Sequence, residues 1–323
     1  MPPPEPLFVK AQITPSALTT LKAMSVSHAR VRVLASVRLA LSAVIAVAGA
    51  VVTVTALPAA WITVLGAVWA GVYSIGLASW VEMELNRAAK LQEMFEAELF
   101  GLGWNTVLAG PVVRSEDVSR LSGKFARRKI SDDWDHVPNL PRPFNVLARQ
   151  IQNLGWGSRI RRRYANVIQG VLLVWTLAGA VVGFIGDFTV GEIVLRWYIP
   201  SLGGLLLGID VVRQQRAIAK DRERACVFAE EEVLKAATKA AGALPDADLI
   251  LLSRQVQDVL FRTRCQAPRA PSGIFYRAFY GNDEIDFRAP VQRLAMALAP
   301  PGGTDGVTGD PGLMSPLPER RNP

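Results

Sequence analysis

Residues Arg149–Tyr164 read RQIQNLGWGSRIRRRY and run on, with no proline and no acidic residue between, into ANVIQGVLLVWTLAGAVVGFIG, which ends at Gly186. A basic, tryptophan-marked segment feeding an apolar run is the pattern of a helix entering hydrocarbon from a polar side. Roughly 20 residues at ~1.5 Å each are needed to cross a bilayer core of ~30 Å. This stretch decides the class: a membrane protein in which a polar insert is joined directly to a span. We read it as a coupling element.

Outward from it, Val167–Gly186 is the third of four such runs. Leu39–Leu57 carries no charge, and after Pro58, Ala59 and Ala60 the run Trp61–Val81 is again uncharged, so these two form an antiparallel hairpin. Ile193–Ile209, weaker because it holds Arg196 and Pro200, pairs with the third run across the acidic joint Asp187–Glu192. Lys22, Arg30, Arg32 and Arg38 precede the first span, Arg159–Arg163 the third, and Arg213, Arg216, Lys220, Arg222 and Arg224 follow the fourth. The hairpin tips have no Lys or Arg, so the positive-inside rule puts both termini and the insert in the cytoplasm. Trp61, Trp80, Trp175, Trp197 and Tyr198 lie in or near the spans, several at the ends, as interfacial anchors do.

The fold class expected is an all-α integral membrane protein: four transmembrane helices in two hairpins, with a helical cytoplasmic insert and C-terminal helices. The divisions are a cytoplasmic segment 1–33, hairpin 34–81, insert 82–164, hairpin 165–212, a C-terminal helical region 213–298 and a Pro/Gly-rich disordered tail 299–323.

Composition agrees with this class. Half of the 323 residues are apolar and the net charge is +8; the mean hydropathy is +0.23. The basic residues flank the apolar runs instead of forming one aromatic-laced face, which argues for topology over a DNA or RNA partner. Two cysteines, Cys226 and Cys265, and two histidines, His28 and His136, stand far apart. That gives no metal site, disulfide framework or Cys-His nucleophile. No span carries a carboxylate series, an HExxH pair or a Ser-Lys dyad, and there is no Gly-rich phosphate loop. The expectation is a non-enzyme without a cofactor. The proline-rich start, MPPPEPLFVKAQITPSAL, is too polar for a signal peptide.

In the insert, Leu85, Ala88, Ala89, Met94, Phe95, Leu99 and Phe100 recur at helical spacing, which predicts a stalk helix continuing the second span. Gly101 and Gly103 stop it, and Trp104-Asn105 follows in a loop. Ser115 is read as the N-cap of a basic helix fading near Ile130, and Asp132–Pro143 as a loop. Phe144–Tyr164 is read as a helix weakened at Gly155 and Gly157. After the fourth span come a charged helix, Val211–Ala241, and a second helix over Pro245–Arg264 capped by Asp246 or Asp248.

Several span residues invite a role. Gly179 and Gly183, and Gly204 and Gly208, stand four apart and let helix backbones approach, either within the hairpin or between copies. Arg196 lies one turn after Glu192; it either snorkels as an anchor or lines a pore. Pro200 cannot donate to the carbonyl of Arg196, which marks a hinge. Four helices cannot enclose a sizeable aqueous hole, so conduction requires a homo-oligomer. The basic residues of the insert attract either anionic lipid of the bilayer or an anionic ligand, on whose bases Trp134, Trp156 or Tyr164 could stack.

The ordered set LQEMFEAELFGLGWN, SEDV, the DDW box at Asp132–Trp134, ARQIQNLGWGSRIRRRY, RQVQDVLFRTR and IFYRAFYGNDEI resembles the four-transmembrane SMODS-associated pore-forming effectors of bacterial antiphage (CBASS-type) systems, over roughly Arg30 to Arg293. The resemblance implies an inner-membrane effector that is silent until a cyclic oligonucleotide, made by a partner cyclic-nucleotide synthase, binds on the cytoplasmic side. Membrane disruption and abortive infection follow. The positions matching the family pattern are Trp104, Asn105, Trp134, Gln150, Asn153, Trp156, Arg161, Tyr164, Gln257 and Asp258. Two departures stand out: Asp135 where an aromatic is expected, and Gly157 where an acid is expected. The other readings are a constitutive small ion channel or a membrane scaffold with cytoplasmic interaction helices, and, more remotely, a membrane enzyme.

Overall fold

A computed structural model describes residues 14–55, 60–125, 140–269 and 290–298, and helix is the only regular structure among them. Helix α1 (Pro15–Thr55) is followed by α2 (Ala60–Val72), which passes through a π-helical turn at Tyr73–Leu77 into α3 (Ala78–Phe100). Two short helices, α4 (Thr106–Ala109) and α5 (Ser115–Ser122), precede the long α6 (Phe144–Ile185). Then α7 (Val190–Ile193) passes through a second π turn, Val194–Tyr198, into α8 (Ile199–Ala237), and α9 (Asp246–Gln266) closes the order. The DDW box with Trp134, the turn at Pro58, the segment IFYRAFYGNDEI and the C-terminal tail lie outside the described residues.

The molecule is two long antiparallel helical hairpins. In the first, α1 runs beside the continuous helix 60–100. Thr14 Oγ1 donates to Glu98 Oε1 at 2.7 Å, Arg30 faces Glu84 at 3.6 Å, Arg38 donates to the Tyr73 hydroxyl at 3.1 Å, and Ile45 lies against Gly66. In the second, α6 runs beside the helix from Val190 to Ala237. Its pairs are Gly183 with Ile193, Gly179 with Trp197, Leu172 with Gly208 and Gly157 with Arg222, and Cys226 Sγ with the Ile151 carbonyl. At ~1.5 Å per residue each hairpin is about 60 Å long, so every long helix has one half sized for a bilayer and one half beyond it.

The two halves differ in what they show to the outside. Val44, Val47, Val51, Leu65, Val68, Leu173, Val174, Leu177, Phe184, Leu202 and Leu206 are all exposed. A continuous apolar coat of this kind belongs in hydrocarbon. Among the described residues, α1, α6 and the α7–α8 run are each long and apolar enough to cross a membrane. The crossing expected at 61–81 falls in the helix that the first π turn divides. The far half has buried cores of its own. One joins Leu147, Leu154, Ala229, Val233, Leu249, Val256 and Leu260, and another joins Leu21, Met24, Leu91, Phe95, Val118 and Leu121.

The paired span glycines Gly179, Gly183, Gly204 and Gly208 all meet neighbours within the chain. A Cβ on Gly179 would stand 2.5 Å from the Trp197 indole, one on Gly183 2.2 Å from Ile193, and one on Gly208 2.7 Å from Leu172. Gly204 faces the Ser42 carbonyl of α1, so it packs hairpin on hairpin. So does Pro200, whose ring sits where a Cβ on Gly49 would be, 2.5 Å away. The π turn at Val194–Tyr198 ends two residues before this proline, with Ile199 N donating to the Val194 carbonyl. Trp175 and Trp197 stack on each other at 4.9 Å between centroids.

Several local expectations need correction. Ser115 is the first helical residue, with Arg114 at the N-cap and no side-chain cap, and that helix ends at Ser122, before Gly123. Pro245, not an aspartate, is the N-cap of α9, while Asp246 and Asp248 lie in its first turn, where their charge favours the helix dipole. Gly155 and Gly157 do not weaken α6, which is continuous across them because α8 side chains fill the space they leave. The acidic joint holds a capping box that sequence reading missed: Thr189 Oγ1 accepts from Glu192 N while Glu192 Oε2 accepts from Thr189 N at 3.0 Å. Gly101 stops α3 as expected, in the left-handed conformation at φ 60°, with Leu102 N donating to the Ala97 carbonyl at 2.9 Å.

Candidate functional site

In the polar half, α3, α6 and α8 are joined through α9. Arg254, Gln257, Phe261 and Arg264 recur at three- and four-residue intervals along α9, so they share one face. That face meets Gln92, Glu93 and Glu96 on α3. Arg264 forks onto Glu96 at 2.7 and 2.9 Å, Arg254 Nη2 donates to Glu93 Oε1 at 2.6 Å, and Gln257 Nε2 donates to Glu93 at 2.8 Å and Glu96 at 2.6 Å. On its other side Gln257 Oε1 accepts from Gln150 Nε2 of α6 at 3.0 Å. Gln150 also donates to the Ser253 carbonyl and accepts from the Ser253 hydroxyl, both at 3.0 Å. Gln150, Gln257, Glu93, Glu96 and Arg264 are all buried. Buried polar groups of this density hold only when each is partnered.

A second layer surrounds this hub. Asn105 caps α4 by accepting from Leu108 N at 3.1 Å and donates from Nδ2 to Asp258 at 3.0 Å. Asp258 is in turn held by Arg254 at 2.6 Å. The Trp104 indole donates to the Gly110 carbonyl at 2.9 Å and rests on Ala89, Ala109 and Phe261. From α1, His28 Nε2 meets Gln92 Oε1 at 3.1 Å. Gln92 Nε2 donates to Glu96 at 2.7 Å, which orients the amide, so the imidazole carries its proton on Nε2.

Charge follows from burial and pairing. Burial pushes Glu93 upward, and Arg254 and Gln257 offset this only in part. Burial also acts on Glu96, yet Arg264, Gln257 and Gln92 outweigh it and hold this carboxyl below its ordinary value. Burial, then the nearby Arg269, drives His28 well below the usual histidine range.

Toward the membrane, α6, α8 and the end of α9 converge on arginines. Arg161 Nη1 donates to Gln215 Oε1 at 2.6 Å and to the Pro268 carbonyl at 3.3 Å, and Nη2 donates to the Ala267 carbonyl at 3.4 Å. Arg222 Nε donates to Thr263 Oγ1 at 2.9 Å. Burial, followed by the neighbouring Arg269 and Arg264, lowers Arg161 to about 10; Arg222 is also lowered, by burial and then by Arg161.

The structure therefore gathers Asn105, Gln150, Gln257 and Asp258 into one network, keeps Trp104 at its edge and sets Arg161 one layer nearer the membrane. Tyr164 is buried on the same helix face as Arg161, less than one turn on. Asn153 and Trp156 are half-buried on α6. At the tip of the second hairpin Arg196 pairs with Glu192 at 3.4 Å and leans on the Phe188 ring at 5.2 Å. Missed from sequence were Gln92, Glu93, Glu96, Arg254, Arg264, Gln215 and Arg222; the signal for the first three was their position on the apolar side of an amphipathic helix. Among the described residues no cluster of His, Cys, Asp and Glu could hold a metal ion.

Long helical hairpins, half apolar-coated and half locked by a buried polar hub, define an all-α membrane protein. The chain belongs to the SMODS-associating 4TM effector domain family, whose model matches residues 8–294. It is also 24% identical, over 211 residues, to a probable CBASS effector molecule of Bacillus cereus strain VD146; the match covers 62% of this chain and 71% of that protein. No solved structure matches. These likenesses support an antiphage effector role.

Proposed function

We propose that the protein is a ligand-opened membrane effector. In this reading a cyclic oligonucleotide made by a partner synthase binds the polar, cytoplasmic half, the spans rearrange as a homo-oligomer, the inner membrane is breached and the infected cell dies. One observation carries it: α9 is bonded at once to α3 of the first hairpin and to α6 and α8 of the second, through Glu96–Arg264, Gln150–Gln257 and Thr263–Arg222. Each of those helices continues unbroken toward or into a span. A ligand that moves α9 would move both hairpins, provided it binds the moved state more tightly than the resting one.

The test is dye release. Purified protein in liposomes of anionic and zwitterionic lipid is exposed to a panel of cyclic di- and trinucleotides. Release with one member and not without it is expected, and Gln257→Leu should change the concentration required. Leakage equal with and without every nucleotide would replace this reading with a constitutive channel; no leakage with any, together with no growth arrest when the synthase is co-expressed, would replace it with a scaffold.

A further inference from the structure

The polar half buries more positive charge than carboxylate. Glu93 and Asp258 are taken by Arg254, and Glu96 by Arg264. Arg161 and Arg222, at most 5% exposed, then meet only neutral oxygens among the described residues: Gln215, Thr263 and the carbonyls of Ala267 and Pro268. The two guanidinium groups are neighbours. A Cβ on Gly157 would stand 2.0 Å from Arg222 Nη1, so the Arg222 guanidinium lies across the α6 backbone where a side chain at 157 would be. Gly157 is four residues, one helical turn, before Arg161 on the same face. Arg264 and Arg269 add charge of the same sign. With Arg161 at about 10, its charge persists at neutral pH.

Desolvated cations that no carboxylate touches are costly; among the described residues Glu96 lends Arg222 some opposite charge, but Arg264 already forks onto that carboxylate. A fold that assembles them and offers Arg161 two backbone carbonyls and an amide, and Arg222 one hydroxyl, is set up for an anion that enters from outside. Guanidinium matches phosphate in shape and charge, two parallel N–H donors meeting two oxygens.

We propose that Arg161 and Arg222 form a phosphodiester subsite, floored by Gly157, in which the Ala267 and Pro268 carbonyls stand in for phosphate oxygens until a ligand displaces them. The displaced segment directly follows α9, so occupation frees the end of the helix that ties the hairpins together. The subsite deepens the ligand-opened reading above and rests on it for its consequence, not for its chemistry. A phosphodiester has two sources here, a soluble nucleotide or a lipid headgroup, since Arg161 is about 9 Å along the helix from the first residue of the third span.

The full chain in neutral detergent is melted at constant ionic strength in chloride, then with inorganic phosphate, 3′,3′-cyclic di-AMP or short-chain phosphatidylglycerol. At least one probe should raise the melting temperature in a saturable way. Arg222→Gln should weaken that probe at least ten-fold. So should Gly157→Asp, which supplies an internal carboxylate while displacing only the flexible end of Arg222. Arg224→Gln, on the exposed side of α8, should not. No shift with any probe, or equal shifts in wild type, Arg222→Gln and Gly157→Asp, overturns the subsite; should Arg222→Gln not fold, Gly157→Asp decides alone. Where the nucleotide is the probe that shifts the melt, nucleotide-triggered dye release that is identical in Gly157→Asp also overturns it and leaves the ligand-opened reading standing. A phosphatidylglycerol response alone upholds the subsite and assigns it to lipid.

Discussion

Replacing Glu96 with glutamine should cost more stability than removing the whole ion pair. The Glu96 carboxylate is buried and accepts from Arg264 at 2.7 and 2.9 Å, from Gln257 at 2.6 Å and from Gln92 at 2.7 Å. Every partner is a donor. An amide in this position aims its own NH2 at a donor whichever way it turns, and it leaves the Arg264 guanidinium buried without a counter-charge. Breaking a buried pair in this way costs about 3–5 kcal/mol, which for a protein of this size lowers the melting temperature by on the order of 10 °C. Arg264→Met should cost about as much, since it strands the carboxylate. The double variant Glu96→Gln/Arg264→Met strands no charge, and its loss should be smaller than the sum of the single losses by at least ~2 kcal/mol. Thermal melts in detergent followed by tryptophan fluorescence and by circular dichroism measure all four proteins. Additive losses, or a Glu96→Gln loss below ~1 kcal/mol, would refute the view that compensated charge holds α9 to α3.

Further outcomes can be measured in the same way. Gly49→Ala and Gly179→Ala, which would put a Cβ 2.5 Å from Pro200 and from the Trp197 indole, should each destabilise the bundle by about 1–3 kcal/mol, whereas Gly203→Ala, with open space around it, should be neutral or slightly stabilising. His28 is held neutral in the fold, with Gln92 beside it and Arg269, Arg264 and Arg32 around it, while in the unfolded chain it takes a proton near pH 6.5. The unfolded state therefore binds more protons below that pH, and stability falls as pH drops from about 6.5, by at most ~1.4 kcal/mol per unit; melts between pH 7.5 and 5.5 should be flatter in His28→Gln. Glu96, held below its ordinary value, contributes stability above pH ~4.5 that is lost as pH falls through its folded value. Glu93, pushed up by burial, acts in the opposite sense, binding its proton more readily in the fold than in the unfolded chain, so Glu93→Gln should steepen the acid loss where Glu96→Gln lessens it.

The hairpins were legible because apolar runs of bilayer length and Lys/Arg flanks are strong, local signals. Gly101 announced its stop, and Gly155 and Gly157 misled. A helix glycine counts as weak only in isolation, and here Cys226 and Arg222 occupy the vacated space. The two π turns left no trace in composition, since an inserted residue shows only against a neighbour: Arg38 on Tyr73 in the first hairpin, Pro200 on Gly49 between the hairpins. Of the site, Gln150, Gln257 and Asp258 stood out because they match the family pattern, not because periodicity or topology marked them. Their partners did not, because Glu93 and Glu96 look like ordinary charges on a stalk helix until α9 is laid against it.

The arrangement also explains why a four-helix chain carries so much helix beyond its spans. Within the bilayer the hairpins touch at small, shape-matched seats, Gly49 on Pro200 and Gly204 on Ser42. Such contacts are dry and directionless, and can pivot at little cost. Beyond the bilayer the same helices are fixed by directional bonds to α9. A body held by pivots at one end and by bonds at the other has its resting angle set at the bonded end. In α3 the path from Glu93 to the π turn at Tyr73 is about 30 Å of helix, and in α6 the path from Gln150 to the start of the third span is about 25 Å. A rotation of 5° at the hub then displaces a span's near end by about 2 Å, enough to unseat a Cβ-sized contact. On the proposed reading, release of α9 therefore needs no large motion, only the loss of bonds such as Glu96–Arg264, Gln150–Gln257 and Thr263–Arg222.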